Sequence, residues 1–328
     1  MSILKTIVLM CGSVCFISAN VQAEVVANSD TGQIFKFKFE LNKPVTYAIQ
    51  NKSWTVHDSS SATRSSLIRD SADIRYKIRL TAISTNQDGT TVVFYERFEL
   101  EQSFENVGPA GKGTVVTHGL DIISKQNDIV TLDTAKEIGI SQARNLKLAV
   151  YPSLLSGYFN VDALGQIKSI EGDLPFIDYW QERLKYAIGF YSIVFPTNSI
   201  SVHDSWTNSI VLRIVAGVVL NGNGIFQRNV FSRELDSQTN VSFTLYESGG
   251  FQNLSGYVEQ SGQRTSVAIP DHSDNMSATF IFDPKLGRLI SMKKTQKIED
   301  STSMMNQGVV STGHDTAEFE SSMTLVSP

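Results

Sequence analysis

The chain has 328 residues, of which 41% are hydrophobic and 19% charged, with a formal net charge of -5. This is the composition of a soluble globular protein long enough to bury a substantial core. The mild negative charge leaves no electrostatic footprint for nucleic acid or for an anionic membrane surface as partner.

Lys5, the apolar run Ile7–Ile17 and the small-residue site Val21-Gln22-Ala23 read as a secretory signal peptide over residues 1–23. Cleavage after Ala23 makes Glu24 the mature start and the product periplasmic or secreted. Lipidation is the competing reading, since Cys11 and Cys15 lie in the segment; Gly-Ser-Val before Cys15 fits a lipoprotein signal poorly. With simple cleavage both cysteines are lost, which removes disulfides, thiol nucleophiles and cysteine metal sites.

Ile34–Leu41 alternates Phe35, Phe37, Phe39 and Leu41 with Lys36, Lys38 and Glu40, the pattern of a half-buried strand. A second strand spans Val45–Val56, and the Ser-rich stretch Ser59–Ser66 reads as an exposed connection. Asp73–Ser84 and Thr90–Glu101 alternate about Asn86-Gln87-Asp88-Gly89, which predicts a hairpin. Ile122–Leu132 and Tyr158–Ile170 predict two more, turning at Gln126-Asn127-Asp128 and Asp162–Gly165. Thr134–Leu146 is a weak helical candidate.

Asp173–Phe195 carries the one clear helical period. Asp173 is a plausible N-cap, Pro175 lies in the first turn, and Ile177, Trp180, Leu184, Ile188, Tyr191 and Phe195 share a face. Beyond Pro196 the strands resume: Ile210–Leu220, Ile225–Leu235, Val241–Glu247, Gly256–Gln260, Thr279–Asp283, Arg288–Lys297 and Thr316–Val326. Neither Tyr186–Phe195 nor Ile210–Leu220, which Arg213 interrupts, predicts a transmembrane segment. Leu164-Gly165-x-Ile167-x-Ser169 recurs as Leu286-Gly287-x-Leu289-x-Ser291, an echo compatible with two β-rich halves.

The predicted fold class is α+β, β-dominated, with long curved antiparallel sheets packed around one central amphipathic helix. Its divisions are residues 1–23 as signal, 24–195 as an N-terminal half ending in the helix, and 196–328 as a C-terminal half.

Phe159, Asp162, Gly165 and Ile167, then Pro196, Val202, Asp204, Ser205 and Trp206, give the chain a resemblance to an uncharacterised family of secreted bacterial β-rich proteins. The chain departs from that family at His203, where glycine is usual. A curved sheet around a helix is also similar, distantly, to the half-barrel of lipoprotein-carrier-like periplasmic proteins, which implies lipid or lipoprotein handling by analogy alone.

Recognisable chemistry is sparse. Gly108–Thr114 lacks the spacing of a phosphate loop, and Gly222-Asn223-Gly224 leads into a strand where a dinucleotide site needs a helix. Four histidines have an Asp neighbour (His57-Asp58, His203-Asp204, Asp271-His272 and His314-Asp315). Adjacent side chains on a strand face opposite ways, so a site needs two such pairs to converge. No spacing marks a metal site, and no cofactor is expected.

Trp180, Tyr186, Phe190 and Tyr191 are therefore the candidate ligand-binding residues, lining a cavity for an apolar or lipid ligand. The alternative for these rings is a packed core. The predicted function is that of an exported, non-catalytic cell-envelope protein. The alternatives are a surface module meeting an envelope protein partner, or a hydrolase using His203 and Asp204. Protein recovered from the periplasm or the medium should have the intact mass of a chain starting at Glu24. A lipid-bearing N-terminus at Cys15 would reject that reading.

Overall fold

Strand periodicity dominates the sequence, and in the computed structural model of the chain it becomes one large sheet. The structure describes residues 18–19, 25–26, 32–61, 64–118, 121–136, 156–171, 193–212, 214–215, 218–220, 225–234, 240–260, 263–306 and 309–327. Among them lie eighteen strands and no helix.

In chain order the first strands are β1 (Ser18–Ala19), β2 (Val25–Val26), β3 (Pro44–Ser61), β4 (Arg64–Thr85) and β5 (Thr91–Gly108). Next come β6 (Gly111–His118), β7 (Asp121–Gln126), β8 (Ile129–Asp133), β9 (Gly157–Val161) and β10 (Ile167–Glu171). Shorter pieces follow as β11 (Ser205–Leu212), β12 (Ile214–Val215), β13 (Val218–Leu220) and β14 (Ile225–Arg233). The last four are β15 (Val241–Gln260), β16 (Gln263–Asp283), β17 (Arg288–Asn306) and β18 (Val309–Ser327).

The named strands pair antiparallel throughout. The backbone of the sheet is the order β14-β15-β16-β17-β18-β3-β4-β5. β18 lies against β3 from Ser311↔Ser61 to Ser327↔Thr46, so strands from the two expected halves share this sheet. β4, the longest at 22 residues, reaches about 70 Å. The near half of β5 pairs with β9 and its far half with β6, which splits the sheet into two tiers.

Alternation explains which face is buried. Along β5, Val93, Tyr95 and Arg97 are buried in turn; burial then resumes one residue out of phase at Leu100, Gln102 and Phe104. Glu99, at φ 53°, is the extra residue of a β-bulge that resets the phase.

The near tier is covered by two irregular segments, residues 32–43 and 193–200. Phe35 and Phe37 of the first and Phe195 of the second meet Phe243 and Phe282 of the sheet, with ring centroids 5.1–6.1 Å apart. The alternation of Ile34–Leu41 is realised in its first part, with Phe35 and Phe37 buried and Lys36 and Lys38 exposed, whereas Phe39 is half-buried and Leu41 exposed. That segment is not a ladder strand, however. Among the described residues it touches strand pairing only through the isolated bridges Gln33↔Ile200 and Leu41↔Ala82.

The internal echo turns out to be a pair of clamps on that segment. Asp162 Oδ1 accepts the N–H groups of Leu164 and Gln166, and Asp283 Oδ1 those of Lys285 and Leu286. Both turns end on a left-handed glycine, Gly165 at φ 91° and Gly287 at φ 63°. Phe37 N–H donates to Ala163 O at 2.7 Å, and Lys38 N–H to Gly287 O at 2.9 Å. Consecutive residues of one segment are thus held by the two related turns.

The expected α+β class is corrected by this arrangement: the described residues are all-β, and the near tier is covered by irregular chain instead of a central helix. Residues 172–192, most of the predicted helix, lie outside the described residues, as do residues 137–155 with most of Thr134–Leu146. The described end of the stretch, Ile193–Phe195, is not helical. Phe195 N–H is instead held by Leu164 O at 3.0 Å. Helical spacing reports a face only if the chain is wound, and here a β-turn carbonyl captures the backbone first. Ser59–Ser66 is corrected too, because β3 and β4 continue to Ser61 and Arg64. The three predicted hairpins are present, and Asn127 and Asp128 both take positive φ, as a tight two-residue turn requires.

A Cβ on Gly165 would lie 2.5 Å from the Phe37 ring and 2.9 Å from Ile193 O, whereas one on Gly89, at φ 82°, meets nothing within 4 Å. Gly165→Ala should therefore cost about 2–4 kcal/mol in denaturant unfolding, and Gly89→Ala only about 1 kcal/mol. Equal costs would show that the clamp on Phe37 does not matter.

Candidate functional site

Trp180, Tyr186, Phe190 and Tyr191 lie outside the described residues. Ile193, two residues on from Tyr191, and Phe195 are buried among the aromatic rings of the core.

The Pro196–Trp206 motif builds a structural knot. Trp206 stacks on Phe231 with centroids 5.2 Å apart and planes 10° apart, and its Nε1 donates to Val194 O at 2.9 Å. Asp204 is buried, and its Oδ2 accepts the Ser201 N–H at 2.6 Å. His203 is exposed at φ 68°, the left-handed region, which is why glycine suits that position. Its N–H donates to Arg233 O. The two side chains part, one inward and one outward, so the pair serves a turn and makes no catalytic dyad.

Two of the His-Asp pairs do converge, across strands. β18 and β3 bring Asp315 opposite His57 and His314 opposite Asp58, one couple on each face. On the covered face His57 Nδ1 lies 2.9 Å from Asp315 Oδ1, and Nε2 lies 3.3 Å from Asp70 Oδ2 on β4. The second contact has ion-pair distance without hydrogen-bond geometry, and Asp70 Oδ2 has no hydrogen-bond partner among the described residues. Asn106 Nδ2 donates to the other Asp70 oxygen. Register extends the row, placing Asp300 of β17 opposite Asp315.

Burial by itself would push the His57 pKa down. The hydrogen bond to Asp315 and the negative charges of Asp315 and Asp70 outweigh this and raise it to about 9. An imidazolium engaged at both nitrogens has no free lone pair, so His57 cross-links three strands and is not poised as a general base. Among the described residues no group of His, Asp and Glu has the arrangement to hold a metal ion.

A pocket opens at the near end, between the segment Phe37–Lys43 and the sheet. Phe37, Phe39, Val45, Tyr47, Leu80 and Val93 form its apolar wall, with Arg288 and Glu40 at its polar side. As it stands it has room for about one water molecule. Burial raises the pKa of the Tyr47 phenol. Glu40 is hydrogen-bonded to Lys43, whose bond and charge hold the carboxyl below its usual range, with Arg288 adding more weakly. Nothing in the sequence marked this pocket, because its residues come from four separate stretches.

No family model matches the chain, and no curated protein matches it. Neither expected family likeness is therefore established. Among solved structures it is similar to an outer membrane channel from Pseudomonas putida F1 at 6% identity and a TM-score of 0.24, covering 92% of this chain and 99% of that one. It is similar to OccK7 (OpdD) of Pseudomonas aeruginosa at 5% and 0.23, covering 86% and 100%. The translocator domain of the autotransporter NalP from Neisseria meningitidis gives 5% and 0.16, covering 84% and 88%. TM-scores this low establish no shared fold. Among the described residues, the face of this sheet away from the core carries charged side chains (Arg75, Arg79, Lys293, Lys297, Glu318 and Glu320) together with the exposed apolar Trp54, Val56, Leu67 and Val107.

Because the folded-state pKa of His57 is raised, its stabilisation is complete below about pH 6.5 and is lost as pH rises through about 9. Unfolding stability should fall by on the order of 2 kcal/mol between pH 6.5 and 9.5, after discounting for solvent screening. His57→Gln should remove most of that slope. A wild type and variant with parallel pH profiles would reject the imidazolium bridge.

Proposed function

We propose that the chain is an exported, non-catalytic cell-envelope protein that binds an apolar ligand on the covered side of its sheet. The reading is carried by the aromatic wall of Phe35, Phe37, Phe243 and Phe282, against which Ile193 and Phe195, the described end of the aromatic stretch 176–195, are packed. Trp180, Tyr186, Phe190 and Tyr191 are the proposed contacts. Apolar surface removed from water there contributes about 25 cal/mol per Å², so a long acyl chain gains enough to bind without any charge pair. His203 and Asp204, spent on a turn, give a hydrolase no support.

A second reading has its own observation. Trp54, Val56, Leu67 and Val107 are exposed on neighbouring strands, with Val56, Arg69 and Val107 in cross-strand register. Such a patch on an otherwise charged face supports contact with a partner protein.

Native mass spectrometry before and after organic extraction separates the readings: a co-purifying lipid supports the first and a bound protein the second. Trp180→Ala and Phe190→Ala should each weaken a fluorescent fatty-acid probe while costing only about 1–2 kcal/mol of stability. Losses of about 3–5 kcal/mol, with no probe binding to the wild type, would leave these rings as core.

A further inference from the structure

We infer that the near-end pocket is the head-group site for a ligand with a carboxylate on an apolar chain, such as a long-chain fatty acid. The inference rests on the apolar-ligand reading and adds to it where the polar end of that ligand is held.

Arg288 is the first residue of β17, presented to the pocket by the Asp283–Gly287 clamp. It is 7% exposed, and its Nε has no hydrogen-bond partner among the described residues. Its one ion pair among the described residues is a contact of 3.6 Å from Nη2 to Glu40 Oε1, too long for a hydrogen bond. A buried guanidinium is costly unless a carboxylate engages it closely, and the Nε–Nη2 edge is shaped to hold both carboxylate oxygens. Glu40 does not fill that role, because Lys43 draws its carboxylate away. The site thus has an under-satisfied fork beside an apolar wall of Phe37, Phe39, Tyr47 and Leu80. Those are the two halves of a fatty acid.

Glu40, whose carboxylate stands 3.6 Å from Arg288 Nη2, acts as a weak internal competitor for the ligand's carboxylate. The pocket must widen for a ligand, which requires the segment carrying Glu40 to swing outward. The segment is tied down by the Asn42 N–H bond to Ala82 O at 2.8 Å, the Leu41↔Ala82 bridge and Lys38 Nζ on Lys285 O at 3.0 Å. Phe39 of that segment is only partly buried. Swinging residues 39–43 outward breaks the Asn42–Ala82 bond, the Leu41↔Ala82 bridge and the Phe37–Phe39 stack, and leaves the clamped Phe37 in place.

The test uses the mature chain with cis-parinaric acid and its methyl ester, which share an apolar chain and differ in charge. The wild type should bind the acid about ten-fold more tightly than the ester. Arg288→Gln should abolish that preference while keeping ester affinity, and Arg288→Lys should keep part of it. Glu40→Gln should tighten the acid several-fold and leave the ester unchanged, an outcome that a merely structural Glu40 would not give. Equal binding of acid and ester by the wild type, or an undiminished preference in Arg288→Gln, overturns the carboxylate site and leaves the apolar-ligand reading standing. Binding of neither probe overturns both. If Arg288→Gln does not fold, Arg288→Lys and Glu40→Gln still decide, since unchanged acid affinity in both is incompatible with the proposal.

Discussion

Phe37 is the side chain on which the near tier depends. It is held from its backbone by the Ala163 carbonyl, while its ring fills the space that a Cβ on Gly165 would need. Its neighbour Lys38 is bound in the same manner by Gly287. Two turns of like construction, far apart in sequence, therefore close on one segment, and that segment supplies the rings that cover the sheet. Remove the glycine conformation at either turn and the close approach is lost, because any Cβ there collides with the clamped chain. The core, the pocket and the position of Phe195 all follow from this threading.

The long strands impose a second constraint. A sheet some 20 residues deep extends well beyond the reach of a cover made of two short segments. Its far tier cannot be filled by the same aromatic cluster, and its buried face mixes apolar residues such as Leu100, Phe104 and Ile122 with polar ones: Asp70, Thr55, Thr117 and Asp300 are buried there, with His57 among the carboxylates. Buried carboxylates demand a positive partner, and the imidazolium meets that demand by bridging β18, β3 and β4. The charged row is thus the far-tier counterpart of the phenylalanine cluster. One tier is held by apolar burial, which tolerates any pH, and the other by ionisation, which does not.

Function divides along the same line. The far tier spends its histidine on structure. The near tier keeps the apolar wall, the clamped turn that presents Arg288, and Glu40 beside it. A ligand with an acidic head and an apolar body is satisfied by those groups together, whereas a hydrolytic reaction would need a free base beside a nucleophile, and neither His57 nor His203 supplies one. The exposed Trp54–Val107 patch lies on the opposite face, so a partner protein there would not compete with a ligand on the covered side.

Alternation alone revealed the strands and hairpins, because side-chain polarity with period two and turn residues such as Asn86–Gly89 or Asn127-Asp128 act within a few residues. The same local information showed that Phe35 and Phe37 are buried. It misjudged Ile193–Phe195, where helical spacing was legible but the Leu164 carbonyl, some thirty positions earlier, captures the backbone. The echo of Leu164-Gly165 in Leu286-Gly287 was visible as a repeat, yet its purpose required knowing what passes between the turns. His57 meeting Asp315, and Arg288 meeting Glu40, were beyond any reading of spacing, since each pair is about 250 residues apart. The sequence by itself determined which residues alternate and where the chain turns, because those depend on neighbours. Only the tertiary structure decided which strands adjoin and which charges share a face, because pairing β18 with β3 is a choice of register that distant residues make together.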